Sequence, residues 1–299
     1  KQFQWNVTPR RTRSNFLAAY HASSGKWAGR RAASDEDKEG SQDVGFLGAP
    51  VGFGNLLLVP VTDGGTIWLY ALEEARSKTG DNFMPTVWKC YLCDEPSKGC
   101  NPWATIVPAL DGRDLYLTCG TGVVFAVDAV SGTVRWATRY QRKGTQDQRM
   151  RNYGNMQSRE MFREWEDDVV VPHGKALIVT ASDSKTIFAL DRRTGELLWD
   201  SPRGELPTTD SFAASYVLGV KGENIYLGGK NIVRCLRLAG GLRVWEKEIE
   251  DSFGHGALTA DALYVPVKDS ILKLDLETGD DLGQVGRADE AGLEQAGQE

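Results

Sequence analysis

The 299-residue chain is poor in the residues that most often do chemistry: it has three histidines, five cysteines and four methionines. No GxSxG, Walker loop or HExxH occurs, so no nucleophile elbow, phosphate cradle or zincin helix is supported. No apolar run approaches the ~20 residues that a membrane helix needs, so no span is expected. Excess positive charge is also lacking: 35 Lys and Arg stand against 41 Asp and Glu, a formal charge of -6. A nucleic-acid binder draws its affinity from neutralised phosphates, so that class is set aside. The opening "KQFQWNVTPRR" has no initiator Met and no signal-like segment, and reads as the interior of a longer chain.

What the chain does have is repetition. Aligned on a tryptophan, "VFAVDAVSGTVRW" (124–136), "IFALDRRTGELLW" (187–199) and "IVRCLRLAGGLRVW" (232–245) are copies of one phrase. "ILKLDLETGDDLG" (271–283) is a fourth with Gly in place of Trp, and "IWLYALEEARSKTGDNFMPTVW" (67–88) a fifth, stretched by insertions. "FLAAYHASSGKW" (16–27) reads as the back half of a sixth, with His21 at the Asp position. Each phrase predicts a β-hairpin, in which Asp128, Asp191 and Asp275 accept hydrogen bonds from the turn and Gly132, Gly195 and Gly279 supply positive φ. Trp136, Trp199 and Trp245 follow on the next strand, as flat side chains suited to wedging against a neighbouring unit.

Ahead of each hairpin lie two more strand-like runs, for example "DVVVP" and then "HGKALIVTAS". Four short antiparallel strands per unit, repeated, predict an all-β fold, a β-propeller of four-stranded blades. A single propeller domain is expected over 16–287, with a half unit at 16–30 and whole units at 45–94, 101–140, 165–203, 210–249 and 252–287. The segment 141–164 is a long insertion and 288–299 a tail. Five units and a half fall short of the seven or eight blades expected in the full ring.

The phrase apolar-A-L-D-x-x-T-G-x-x-x-W resembles the propeller repeat of the pyrroloquinoline-quinone (PQQ)-dependent alcohol dehydrogenases and their non-catalytic relatives, among them an outer-membrane assembly lipoprotein. Ala126, Asp128, Gly132 and Trp136 carry the resemblance, as do Ala189, Asp191, Thr194, Gly195 and Trp199, with a weaker match at Asp275, Thr278 and Gly279. Arg237, Gly240 and Cys235 depart from it, Cys235 standing at the small Ala position. These are structural residues, so the resemblance implies the propeller and not the quinone. Its family implies a bacterial periplasmic or cell-envelope location for an exported protein.

Candidate binding residues lie just before the first strand of each unit, where Trp103, Trp165, Phe212 and Phe253 occupy equivalent places. Such aromatics either line a channel mouth or pack between blades. Asp167, Asp168, Asp210 and Asp251 stand beside them, and His255 follows Asp251 and Phe253. Three functions are open. The leading one is a non-catalytic scaffold that binds a protein or peptide, or other domains of the same longer chain, with no cofactor. The resemblance also implies, as an alternative, a PQQ- and calcium-dependent dehydrogenase, with carboxylates converging on the channel. The third is a sugar-binding propeller that uses Trp103 and Trp165 as stacking platforms. "KCYLCDEPSKGC" holds Cys90, Cys93 and Cys100, which allow a loop disulfide such as Cys93–Cys100, unpaired thiols, or a metal.

Overall fold

The computed structural model describes residues 15–33, 44–73, 84–95, 105–142, 165–166, 168–202, 213–250, 252, 254–268 and 270–286. The insertion at 143–164 lies outside them, as do Trp103, Asp167, Asp210, Phe212, Asp251, Phe253 and Cys100. All regular structure among the described residues is β, and the chain divides into two compact units, 1–141 and 142–299.

In the first unit, β1 (Phe16–Tyr20) and β2 (Trp27–Ala32) form a two-stranded hairpin. Next, β3 (Val44–Phe46) and β4 (Val51–Phe53) both pair with β5 (Leu56–Asp63), and β6 (Thr66–Glu73) and β7 (Thr86–Asp94) complete that sheet. After a two-residue β8 (Ile106–Val107), β9 (Ala109–Asp111), β10 (Asp114–Thr118), β11 (Val123–Asp128) and β12 (Val134–Arg139) form an antiparallel meander.

The second unit holds three such meanders. One contains β13 (Asp168–His173), β14 (Ala176–Thr180), β15 (Thr186–Asp191) and β16 (Leu197–Pro202). The next runs from β17 (Tyr216–Lys221) through β18 (Asn224–Gly229) and β19 (Ile232–Arg237) to β20 (Arg243–Glu248). The last comprises β21 (Ala257–Leu258), β22 (Leu263–Val267), β23 (Ser270–Leu274) and β24 (Asp281–Gly286).

Burial explains the sequence pattern strand by strand. The second strand β14, "ALIVT", is buried at every position, which is why it reads as a continuous apolar run. The outer strand of the meander, β16, "LLWDSP", has no fully buried residue and mixes polar and apolar residues.

The hairpin between the third and fourth strands is built as its sequence requires. Asp191 Oδ1 accepts from the backbone N–H groups of Arg193 and Thr194, both at 2.9 Å, and Asp275 Oδ1 accepts from Glu277 and Thr278 at 2.8 and 2.9 Å. Asp128 does the same with Val130 and Ser131 at 3.0 Å, and its Oδ2 receives Arg113 at 2.8 Å and Arg135 at 2.7 Å. Burial opposes ionisation of Asp128, but the Ser131 N–H, the Arg113 guanidinium and the Val130 N–H outweigh it and hold the carboxyl well below the usual range.

The turn glycine and the tryptophan form one device. In four of the sheets the Trp pairs across the ladder with a small residue: Ala71 with Trp88, Ala126 with Trp136, Ala189 with Trp199 and Cys235 with Trp245. A small partner leaves room for the indole to lie along the sheet and reach the next turn. Gly132 lies beneath the Trp88 ring, Gly241 beneath Trp199 and Gly279 beneath Trp245. The Trp199 and Trp245 indole N–H groups donate to the carbonyls of Leu238 and Leu276 at 2.8 and 3.1 Å. At the fourth copy the pair is reversed: Lys273 faces Gly283, and no indole is present. Cys235 behaves as the buried small residue its position suggests, and burial pushes its thiol up to about 12.

Two outcomes follow. A methyl group at Gly132 would fall 2.6 Å from Trp88, with φ at +71°, whereas Gly112 has φ of +61° and open space. Gly112→Ala should therefore cost about 1–2 kcal/mol of backbone strain alone, and Gly132→Ala about 3 kcal/mol or more once the indole must move. Urea unfolding of both variants would check the difference. Asp128→Ala should cost about 2–3 kcal/mol. Because the folded-state pKa is lowered, this stability is complete above the ordinary Asp value of ~3.9 and is lost as pH falls towards the folded-state value. Acid unfolding should accordingly be steeper for the native chain than for Asp128→Asn.

Candidate functional site

The first strands of consecutive meanders lie side by side in the second unit, β13 beside β17 and β17 beside β21. The residues that lead into these strands are therefore gathered at one place. The Glu166 backbone N–H donates to the Ser215 carbonyl at 2.8 Å, and the Tyr216 hydroxyl donates to the Gly254 carbonyl at 3.2 Å. Three successive repeats are thus joined near the starts of their first strands.

Their side chains form a polar cluster. Glu166 Oε1 accepts from the Ser215 hydroxyl at 2.9 Å, and Oε2 lies 3.1 Å from His255 Nε2. The His255 ring stacks on Tyr216, with centroids 4.3 Å apart and planes at 29°. Glu166 and His255 face solvent, with side chains 39% and 54% exposed, while Tyr216 is buried beneath them. Burial first, and then the Glu166 charge, push the Tyr216 phenol up; a hydrogen bond with Ser252 works in the opposite direction. This arrangement presents a carboxylate, an imidazole and an aromatic floor, which suits hydrogen bonding to a basic or amide-bearing chain.

His255 is a member of this cluster, but two other candidate residues have different roles. Trp165 is fully buried in one apolar cluster with Ile178, Ile187, Ala214, Ile225, Leu227 and Leu236. It packs between meanders and is no platform for a sugar, which corrects the stacking expectation at this position. Asp168 is also buried, and its Oδ1 accepts from the Ser182 N–H at 2.9 Å and the Ser182 hydroxyl at 3.1 Å. It ties the start of β13 to the turn after β14 and does not open onto a ligand site.

Glu166, Ser215 and Tyr216 were not singled out from sequence. The available signal was positional: Glu166 directly follows an aligned aromatic, and Tyr216 opens a first strand.

A quinone held with calcium would need several oxygen ligands converging on one point. Among the described residues no three His, Cys, Asp or Glu side chains form such a group. Glu166 is engaged by Ser215 and His255, Asp168 by Ser182, and Asp183 by Arg142 at 2.5 Å. These residues do not fit the group.

The fold is that of the PQQ-like β-propellers, and comparison with solved structures agrees. BamB from Moraxella catarrhalis matches with a TM-score of 0.51 at 16% identity, over 79% of this chain and 63% of that one. A europium-containing methanol dehydrogenase matches at 0.54 and 13% identity, over 81% and 51%. Sqt1 of Saccharomyces cerevisiae matches at 0.59 and 9% identity, over 92% and 69%. The chain thus spans less than two thirds of the length of the first two proteins. No curated protein matches the sequence significantly. A family profile described as outer membrane protein assembly factor BamB matches residues 52–272. The chain belongs to that family.

The site gives its own test. Glu166→Gln should lower the titration midpoint of one tyrosine by removing the charge that opposes phenolate formation. The effect should vanish when Tyr216 is also replaced by Phe, as followed by ultraviolet difference spectroscopy.

Proposed function

We propose that this chain is a non-catalytic, protein-binding propeller domain of a larger exported bacterial protein. It acts as a scaffold that holds a peptide segment of a partner against the Glu166–His255–Tyr216 cluster. The observation that carries this reading is the cluster itself: solvent-facing polar groups, fixed by hydrogen bonds across three repeats, over a buried aromatic. Rigid presentation of a few polar groups lowers the ordering cost of binding. Family membership supports the reading, since the family's description is that of an assembly factor. A periplasmic or cell-envelope setting belongs to the same proposal. No helix among the described residues is long and apolar enough to cross a membrane.

Two measurements test it. A photo-crosslinking residue at position 255 of the full-length protein in cells should give a discrete protein adduct that Glu166→Ala weakens several-fold. The same residue at position 242, on the solvent-facing side of a hairpin turn, should not. Titration with PQQ and Ca²⁺, read by tryptophan fluorescence, should show no saturable quenching. Calcium-dependent saturation would overturn the scaffold in favour of the dehydrogenase.

A further inference from the structure

Two cysteines from neighbouring sheets of the first unit meet in the same apolar cluster. Cys93 lies near the end of β7, opposite Ile67, and Cys119 directly follows β10. Cys119 is buried, and Cys93 packs against the cluster that contains it. The Cys93 thiol donates to the hydroxyl of Thr121, two residues beyond Cys119, at 3.5 Å. We propose that Cys93 and Cys119 are a dithiol that closes to a disulfide, joining the outer strand of one sheet to the turn beyond the second strand of the next. With both side chains against one apolar cluster and Cys93 Sγ bonded just beyond Cys119, side-chain rotation can bring the sulfurs towards the ~2.05 Å of an S–S bond.

The two cysteines of the Cys-x-x-Cys sequence differ in chemistry. Cys90 is buried, its thiol donates to the Tyr91 carbonyl at 3.6 Å, and burial pushes it up. At Cys93, the hydrogen bond from Cys119 outweighs burial and holds the thiol below its usual range. Cys93 is also the less buried of the pair, whereas Cys119 is buried, so Cys93 is the attacking thiolate. With a small-molecule disulfide such as oxidised glutathione, Cys93 displaces one glutathione thiolate and forms a mixed disulfide. Cys119, losing its proton to solvent, then attacks the Cys93 sulfur and displaces the second glutathione. Two protein thiols are oxidised, and one glutathione disulfide is reduced to two thiols.

The test is peptide mapping of the full chain after incubation with oxidised glutathione and alkylation under non-reducing conditions. A cross-linked peptide pair joining Cys93 to Cys119, about 2 Da lighter than the sum of its free thiols, is the expected result. It should be accompanied by a rise in Tm of about 5–10 °C that Cys119→Ala abolishes. In Cys119→Ala, Cys93 should stop at the mixed disulfide and retain one glutathione. Alkylated Cys93 and Cys119 in the native chain, or a bond from Cys93 to Cys90 or Cys100, would overturn the proposal.

Discussion

The contact on which the described sheets depend is an indole laid over a glycine. An isolated four-stranded meander has two faces to cover and little with which to cover them. Here the outer strand of one sheet sends a tryptophan across a small residue of its own sheet, onto the turn of the following sheet. The apolar area of the ring is buried, the N–H is satisfied by a turn carbonyl at two of the sites, and no side chain at the glycine stands in the way. At Gly132 and Gly279 an aspartate turn holds that glycine in place, and positive φ is what brings the bare Cα under the ring.

This device explains why so much of the fold was legible in the sequence. Asp, Gly and Trp fall at fixed spacing because the turn and the outer strand are rigid. The small residue that pairs with the Trp stands two places before the first turn residue, Asp128, Asp191 or Arg237, so Cys235 could be read as a core residue from its position alone. Even the exception makes sense: where Gly283 replaces Trp, the opposite position is released to Lys273.

The candidate site was less legible because it is assembled from residues ~40 to 90 apart that no local pattern connects. Trp165 shows the difficulty. Its alignment with other aromatics identified the right place in the fold, but alignment says nothing about which way a ring faces, and it faces the core. Its neighbour Glu166 points to solvent and meets His255 from two repeats later. Likewise Cys93 and Cys119 share one apolar cluster only through the packing of two sheets, which no local pattern announces.

The indole contact also has a direction. Each of these tryptophans lies on the earlier sheet and each receiving glycine on the later one. A chain emerging from a ribosome would thus find, for every such new turn, a ring already placed on the sheet before it. Assembly can proceed in step with synthesis, each completed meander serving as the template for its successor. The reverse order would leave each turn waiting for a ring not yet made.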